Sequence, residues 1–182
     1  LVKAFMQAAG LAQGSANAQS DNQDAQVIPD VWDLHIVGDG PERGAIEQLI
    51  ASAGPQAVSR IHLLGYKSGE DLQREVGNAR FTVLSSEWRE NMPYSGLESL
   101  AAQTPIIGAR IGGIPELVEE GKTGVTFESG DAVDLLNSMR KCSAVSASSY
   151  SSMQRFCREY VNARCLQNKY ALTLIDLYER VI

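Results

Sequence analysis

Two glutamates with a spacing suited to ligand binding follow the apolar run Phe81–Ser85. Pro93 is typical of the first turn of a helix, and Asn91 is predicted to be the residue that caps this helix. The unpaired backbone N–H groups of such a turn attract an anion such as a diphosphate. Glu90 precedes the turn, and Glu98 lies within the helix after it. The segment therefore predicts an anion site with two carboxylates beside it.

The second glutamate, Glu98, is predicted to lie in an apolar setting. A rise of about 1.5 Å per residue places it about 7–8 Å along the helix from Pro93. Its neighbours on the helix include Tyr94, Leu97 and Ala101. A carboxylate in such a setting needs partners, and a ribose diol offers two hydroxyl donors. The alternative is a solvated acid favoured by the helix dipole, and spacing alone leaves both open.

Two glycine-containing loops also follow strand-like runs. Gly38 and Gly40 come directly after the apolar sequence LHIV, and Gly112 and Gly113 come after PIIGA. Glycines let a backbone approach a ligand closely, but taken alone the first loop is more simply explained as a plain tight turn. Glu116, just after the second loop, is more typical of an acid at a helix start than of a catalytic residue.

The elements that must position these residues alternate along the chain. Runs of strand length are spaced by helical patterns, which is typical of a parallel sheet covered by helices on both faces. With right-handed crossovers the expected fold is α/β, a Rossmann-like doubly wound parallel sheet. The predicted strands are Trp32–Val37, Arg60–Leu64, Phe81–Ser85, Pro105–Ala109 and Val125–Phe127, and the predicted helices are Gly44–Ala53, Glu70–Gly77, Pro93–Ala102, Ile114–Glu120 and Ala132–Lys141.

The chain is expected to form a single domain over residues 1–182, with helical segments at both ends. A short helix is predicted at the N-terminus. Residues 10–30 are rich in small and polar types without apolar periodicity, so they are predicted to form a flexible inserted loop. Residues 151–182 have a long helical pattern with no strand after them, more helix than a lone sheet needs, so a partner surface is expected there.

Composition excludes several classes of protein. Sixteen Lys and Arg against 22 Asp and Glu give a net charge of −6, which argues against a nucleic-acid-binding face. No apolar run is long enough to span a membrane. The three cysteines are odd in number and lack metal-ligand spacing, which favours a reduced state. A zinc site is not expected either, because His35 and His62 lie in separate apolar runs far apart in sequence.

Four motifs stand in register at the predicted strand ends: VGDGP, LLGY, SSEWRENMPYSGLESLA and PIIGARIGGIPELVEEGKTGVTF. Together they resemble the C-terminal, donor-binding domain of family 4 (group 1) retaining glycosyltransferases, which have the GT-B fold of two Rossmann-like domains. The family signature of two glutamates separated by seven residues matches Glu90 and Glu98. The match runs from about Leu1 to Phe127, and the C-terminal helices are similar to the family's closing helix.

The resemblance implies a role for each matching residue. Glu90 would contact the donor sugar's hydroxyls beside the reacting carbon, and Glu98 would hold the ribose diol. Backbone N–H groups of the segment between them would bind the diphosphate or sugar hydroxyls, and Tyr66 would frame the base. The remaining residues implied to line the donor site are Asn91, Met92, Pro93, Tyr94, Ser95, Gly38, Gly40, Gly112 and Gly113.

The resemblance also implies the ligands and the cellular setting. The donor would be a UDP- or GDP-sugar, with no cofactor and no bound metal ion. The acceptor, a glycan or a lipid-linked sugar, would bind an N-terminal domain that is expected to lie outside this chain. The chain alone is therefore expected to bind the donor nucleotide but not to turn over. The expected location is cytoplasmic, or peripheral to the inner face of the membrane in the full-length protein.

The chain departs from the family pattern in two respects. Met92-Pro93 stands where many members have Phe-Gly, which indicates a subgroup found among capsule and exopolysaccharide enzymes. The basic Arg and Lys that neutralise the diphosphate in this family are expected just upstream of Leu1.

Two other function classes compete with this one. A non-catalytic Rossmann-like binding or interaction module is the main alternative. An NAD-dependent oxidoreductase is disfavoured because GDGPER lacks the third glycine of its fingerprint. The donor sugar, its base, the acceptor, the linkage and the oligomeric state stay open.

Overall fold

The computed structural model describes residues 1–11, 32–165 and 167–181. Most of the loop predicted at residues 10–30 lies outside these described residues. In chain order the helices are α1 (Val2–Ala8), α2 (Arg43–Ser52), α3 (Pro55–Arg60), α4 (Gly69–Asn78), α5 (Tyr94–Ala101), α6 (Ile114–Leu117), α7 (Ala132–Ser143), α8 (Ala147–Arg164) and α9 (Gln167–Val181), and the strands are β1 (Leu34–Val37), β2 (Ile61–Gly65), β3 (Thr82–Leu84), β4 (Ile106–Ala109) and β5 (Gly124–Phe127).

The described chain divides into two compact units. Unit 1 comprises Leu1–Arg74 with Gly130–Val145, and unit 2 comprises Glu75–Ser129 with Ser146–Ile182. Each contains its own parallel strands: β1 pairs with β2 in unit 1, and β3, β4 and β5 pair in that order in unit 2. The prediction of an α/β fold with parallel strands and a long C-terminal helical segment is confirmed.

Unit 1 has two packed parts. Strands β1 and β2 run parallel, with Leu34 opposite Ile61 and His35 opposite His62. Helix α1 packs against α7. The apolar residues of α1 are buried, among them Phe5 and Met6. The N-terminal helix predicted from the sequence is therefore present and belongs to the core of unit 1.

Unit 2 is built around β4, the middle strand of its sheet. All four residues of β4 are buried, which explains their continuous apolar character. Helix α8 packs against α5 on this core. The cluster of buried side chains consists of Leu100, Ile106, Leu117, Val118, Cys157 and Tyr160.

Buried polar side chains in unit 2 find partners that hold neighbouring elements together. Ser99 Oγ lies 2.7 Å from both Thr104 O and Thr82 Oγ1, and Thr104 Oγ1 donates to Val76 O at 2.8 Å.

Burial raises the pKa of the Cys157 thiol to about 12, so this thiol is protonated and unreactive at neutral pH. All three cysteines are free thiols in this structure, and Cys142 and Cys157 are buried.

The structure corrects the predicted helices in three places. Helix α3 was not predicted. The C-terminal segment forms two helices that begin at Ala147, earlier than residue 151. The helix predicted over Ile114–Glu120 ends at Leu117, because Thr123 Oγ1 donates to Leu117 O at 3.0 Å and accepts from the Glu119 N–H at 2.7 Å. No helix of the described residues is both long and apolar enough to span a membrane.

The core of unit 2 allows a direct stability test. Leu100, a residue of α5, is fully buried, so Leu100→Ala leaves a cavity and should lower the free energy of unfolding by about 2–5 kcal/mol. Leu172→Ala is the matched control, because Leu172 is 66% exposed on α9 and its truncation should cost no more than about 0.5 kcal/mol. Urea unfolding followed by circular dichroism at 222 nm measures both. Equal costs for the two variants would contradict the assigned core.

Candidate functional site

The two glutamates flank the loop that leads from β3 into α5, in unit 2. Glu90 lies in this loop, and Glu98 lies in the second turn of α5. Both side chains are exposed. Within the described part of the chain, neither carboxylate forms a hydrogen bond or an ion pair. Both are therefore accessible to a ligand.

The backbone of Glu90 is held by the loop that follows β4. The Gly113 N–H donates to Glu90 O at 2.7 Å. A Cβ at Gly113 would lie 1.6 Å from Asn91 O, and one at Gly112 would lie 2.4 Å from Glu90 O. Gly112 also has a φ of +55°, a conformation that favours glycine. The paired glycines are therefore required for backbone-to-backbone contact with Glu90 and Asn91.

Helix α5 begins one residue after Pro93, which is its N-cap. Pro93 O accepts from the Gly96 N–H at 3.0 Å and from the Leu97 N–H at 3.3 Å. The two preceding N–H groups, of Tyr94 and Ser95, have no acceptor among the described residues. The helix start therefore presents two backbone donors together with the positive end of the helix dipole.

The prediction that Asn91 caps this helix is wrong. The cap is Pro93, and no side chain caps the helix. Met92 precedes a proline, and such residues are driven away from the helical region, so the helix cannot extend back to Asn91. Asn91 is instead exposed, with its carbonyl against Gly113.

The predicted apolar setting of Glu98 is also wrong. The residues of α5 that turn toward the core are Gly96, Ser99 and Leu100, and Glu98 is exposed. Gly96 allows this close packing, because a Cβ there would lie 2.5 Å from Leu117 Cδ1 on α6. Glu98 instead shares the outer side of α5 with Tyr94, one helical turn before it.

The other predicted residues of this segment are placed together at its surface. Tyr94 is 83% exposed, and the side chains of Met92 and Ser95 are also exposed, whereas Pro93 is buried. Sequence reasoning assigned no role to Trp88, which is 82% exposed two residues before Glu90. The Glu90 N–H donates to Trp88 O at 3.1 Å, so the main chain of Trp88 belongs to the same loop turn as Glu90. The signal that could have identified Trp88 was its position inside the motif SSEWRENMPYSGLESLA.

The remaining predicted residues, Gly38, Gly40 and Tyr66, belong to unit 1. Gly38 has a φ of +132°, and its N–H donates to Gly65 O at 2.8 Å, which joins the ends of β1 and β2. The Gly40 N–H donates to Asp39 Oδ1 at 2.9 Å. Tyr66 is 79% exposed directly after β2. Their roles in ligand binding stay predictions.

Curated proteins with similar sequences include several that are named as sugar transferases. Sulfoquinovosyl transferase SQD2 of Arabidopsis thaliana is 33% identical over 110 residues, which are 59% of this chain and 20% of that protein. N-acetyl-alpha-D-glucosaminyl L-malate synthase of Bacillus anthracis is 36% identical over 98 residues, 54% of this chain and 24% of that protein. The chain thus spans about a fifth to a quarter of the length of these relatives.

Solved structures share the fold. HepE of Anabaena in complex with UDP superposes with a TM-score of 0.68 at 21% identity, over 81% of this chain and 42% of that one. TarM of S. aureus, solved as a point mutant in complex with Fondaparinux, alpha-GlcNAc-glycerol and UDP, gives a TM-score of 0.71 at 17% identity, over 97% of this chain and 32% of that one.

A family model supplies the decisive match. The model for glycosyl transferases group 1 matches residues 20–144, well over half of the chain, and so confirms the resemblance drawn from the four motifs. The chain belongs to the group 1 glycosyl transferases.

Proposed function

We propose that this chain binds the nucleoside-diphosphate sugar donor of a retaining glycosyltransferase, and that unit 2 supplies Glu90, Glu98 and the start of α5 for this purpose. The observation that carries the proposal is the contact of Gly113 with the backbone of Glu90. Glu90 lies four residues before Tyr94, where α5 begins with two unpaired N–H groups. A fixed acidic residue beside a ready anion site is the arrangement that a sugar diphosphate needs.

The diphosphate would bind at the start of α5. The N–H groups of Tyr94 and Ser95 point outward from the first turn, where the helix dipole favours negative charge. As the bond to the sugar breaks, negative charge grows on the departing diphosphate. Backbone donors that are already oriented stabilise that charge without reorganising.

The ribose would bind beside Glu98. An ionised carboxylate accepts hydrogen bonds through two oxygens, and a vicinal diol presents two donors at a matching spacing. Glu98 lies one turn beyond Tyr94, about 6 Å along the helix axis, on the same side of α5. A nucleotide whose diphosphate lies at the helix start therefore has its ribose within reach of this carboxylate.

The sugar would bind beside Glu90. Because the Gly113 contact fixes the main chain of Glu90, binding does not have to order this segment, which lowers the entropy cost of holding the sugar. The UDP complexes of HepE and TarM support a nucleotide donor of this kind. The same proposal has finer parts. The transfer would retain the configuration at the anomeric carbon, and this chain alone would not turn over. The acceptor would be a glycan or a lipid-linked sugar, the role would be in bacterial polysaccharide synthesis, and the location would be cytoplasmic.

The ribose role is tested with Glu98→Ala. Loss of hydrogen bonds to a charged group costs about 1.5–3 kcal/mol, so UDP or GDP, whichever binds the parent chain more tightly, should bind roughly 10–100-fold more weakly. Glu159→Ala is the matched control, because Glu159 is an exposed glutamate on another helix of unit 2. Calorimetric titration in the presence of EDTA measures the affinities.

A deoxynucleotide shows whether Glu98 acts on the ribose. Removal of the 2′-hydroxyl should weaken binding to the parent chain but have no further effect in Glu98→Ala, since the two changes remove one interaction. No binding of UDP or GDP to the parent chain at millimolar concentration would overturn the proposal and favour the non-catalytic module. An unchanged affinity of Glu98→Ala would overturn the ribose role alone.

The positioning of Glu90 is tested with Gly113→Ala. The added Cβ cannot coexist with Asn91 O, so the two loops must separate and the bond from Gly113 N–H to Glu90 O is lost. We expect an unfolding free energy lower by about 1–3 kcal/mol and a nucleotide affinity at least about tenfold lower. Gly44→Ala on the exposed side of α2 meets nothing within 4 Å and should be neutral or stabilising. Full nucleotide affinity in Gly113→Ala would show that this loop contact does not serve the site.

The sugar role is tested with Glu90→Gln, which keeps the shape of the side chain and removes its charge. The affinity of this variant for UDP should stay within about twofold of the parent value. Any factor by which a UDP-hexose binds more tightly than UDP should fall roughly tenfold, because hydrogen bonds to a charged acceptor are the stronger ones. Titrations with UDP-glucose, UDP-galactose and UDP-N-acetylglucosamine, or the GDP series if GDP binds better, measure this difference. If the UDP-hexose keeps its full extra affinity over UDP in Glu90→Gln, the sugar does not bind beside Glu90.

A further inference from the structure

Three potential metal ligands lie together in unit 1, in residues to which the proposed function assigns no role. Asp33, His35 and His62 each offer one ligand atom, and these atoms lie within 4.8 Å of one another. The sequence argued against zinc because the two histidines are far apart along the chain. Strand pairing removes that objection, because it places His35 directly opposite His62.

The backbone brings the three side chains to one face of the β1–β2 pair. Residues two apart in extended chain point to the same side, so Asp33 and His35 share a face. The parallel register adds His62 to it, and the two imidazole rings lie edge to face with centroids 5.1 Å apart. Two of the ligands therefore come from β1 and the segment just before it, and the third comes from β2.

One of the ligand spacings already has the value that a tetrahedral ion requires. Ligands bound to zinc at about 2.0–2.1 Å in a tetrahedron lie about 3.3 Å from one another. His62 Nε2 and Asp33 Oδ2 are 3.3 Å apart. The spacings to His35 are at most 4.8 Å, and rotation of this exposed side chain would shorten them. The ligand set of two imidazoles and one carboxylate suits a divalent transition metal better than calcium or magnesium, which prefer oxygen.

Arg60 holds the carboxylate in place for this purpose. Its guanidinium donates to Trp32 O and lies over the ring of Phe5, and its Nε is 3.6 Å from Asp33 Oδ1. The side chain of Arg60 is nearly buried, so this contact orients Asp33 with its other oxygen toward His62. A group behind the carboxylate that fixes its orientation is a recurrent feature of metal sites.

We propose that Asp33, His35 and His62 bind one divalent transition-metal ion, with Zn²⁺ as the principal candidate and water in the fourth position. The ion would join the segment before β1 to β2 and so stabilise unit 1. It takes no part in the proposed sugar transfer, and its test needs no nucleotide.

The composition of the chain makes the test specific, because its only two histidines are both in this cluster. Calorimetry of the untagged chain with Zn²⁺, and visible absorption with Co²⁺, should show one site. Both are measured in a Cys165→Ser background, since Cys165 is the one exposed thiol and could compete for the metal. Saturating Zn²⁺ should also raise the melting temperature by several degrees, because an ion that binds the folded state stabilises it.

Variants then assign the ligands. His35→Gln, His62→Gln and Asp33→Asn should each weaken Zn²⁺ binding at least about tenfold and abolish the rise in melting temperature. Asp71→Asn is the matched control, because Asp71 is an exposed aspartate of unit 1 that contacts Arg74 outside the cluster, and it should bind Zn²⁺ as the parent does. Circular dichroism confirms that each variant is folded. No one-site binding to the parent chain, or binding that persists when both histidines are replaced, would overturn the proposal.

Discussion

The hydrogen bond from Gly113 N–H to Glu90 O is the interaction on which the candidate site depends. It joins the loop after β3 to the loop after β4, and it can form because these strands are parallel neighbours with their carboxyl ends at the same edge of the sheet. The bond also requires that residues 112 and 113 have no side chains, since a Cβ at either would overlap the backbone of Glu90 or Asn91. Sheet order and two glycines together thus fix where Glu90 stands.

Behind this contact, unit 2 uses small residues to bring its elements close together. Gly108 in β4 lies under α6, where a Cβ would be 2.8 Å from Ile114 Cγ2, and Gly96 in α5 admits Leu117 from the other side. Helix α8 fixes the outer end of α6, because Tyr160 Oη donates to Glu116 O at 2.7 Å. The four-residue helix α6 is therefore held from three directions although it is too short to be stable alone. The loop that contacts Glu90 ends at Gly113, directly before α6, so these contacts also hold the end of that loop.

The sequence was informative where one local signal dominates. The apolar runs predicted every strand of the described chain to within about two residues at either end, and Pro93 placed the start of α5 close to its observed position. Other predictions failed because they depended on contacts between distant residues. Glu98 has apolar neighbours in α5, but which side of a helix is covered depends on the elements that pack against it, here β4, α6 and α8. The pairing of His35 with His62 depends likewise on strand register, and a shift of one residue would place the two imidazoles on opposite faces. Periodicity thus predicts which residues can share a face, and only tertiary structure decides which faces meet.

The candidate site combines a main chain held in place by hydrogen bonds with carboxylate side chains that are exposed to water. These two features determine how it could bind a ligand. The backbone of Glu90 and the first N–H groups of α5 are already in position, whereas the carboxylates of Glu90 and Glu98 are exposed to water. Because both side chains are exposed, neither carboxylate bears the desolvation cost of burial. A ligand must displace that water, so carboxylate contacts gain free energy only where its hydroxyls replace the lost hydrogen bonds with good geometry. In the proposed donor site, the fixed backbone would favour binding of the diphosphate, and the solvated carboxylates would select for hydroxyl groups at the right distance from it.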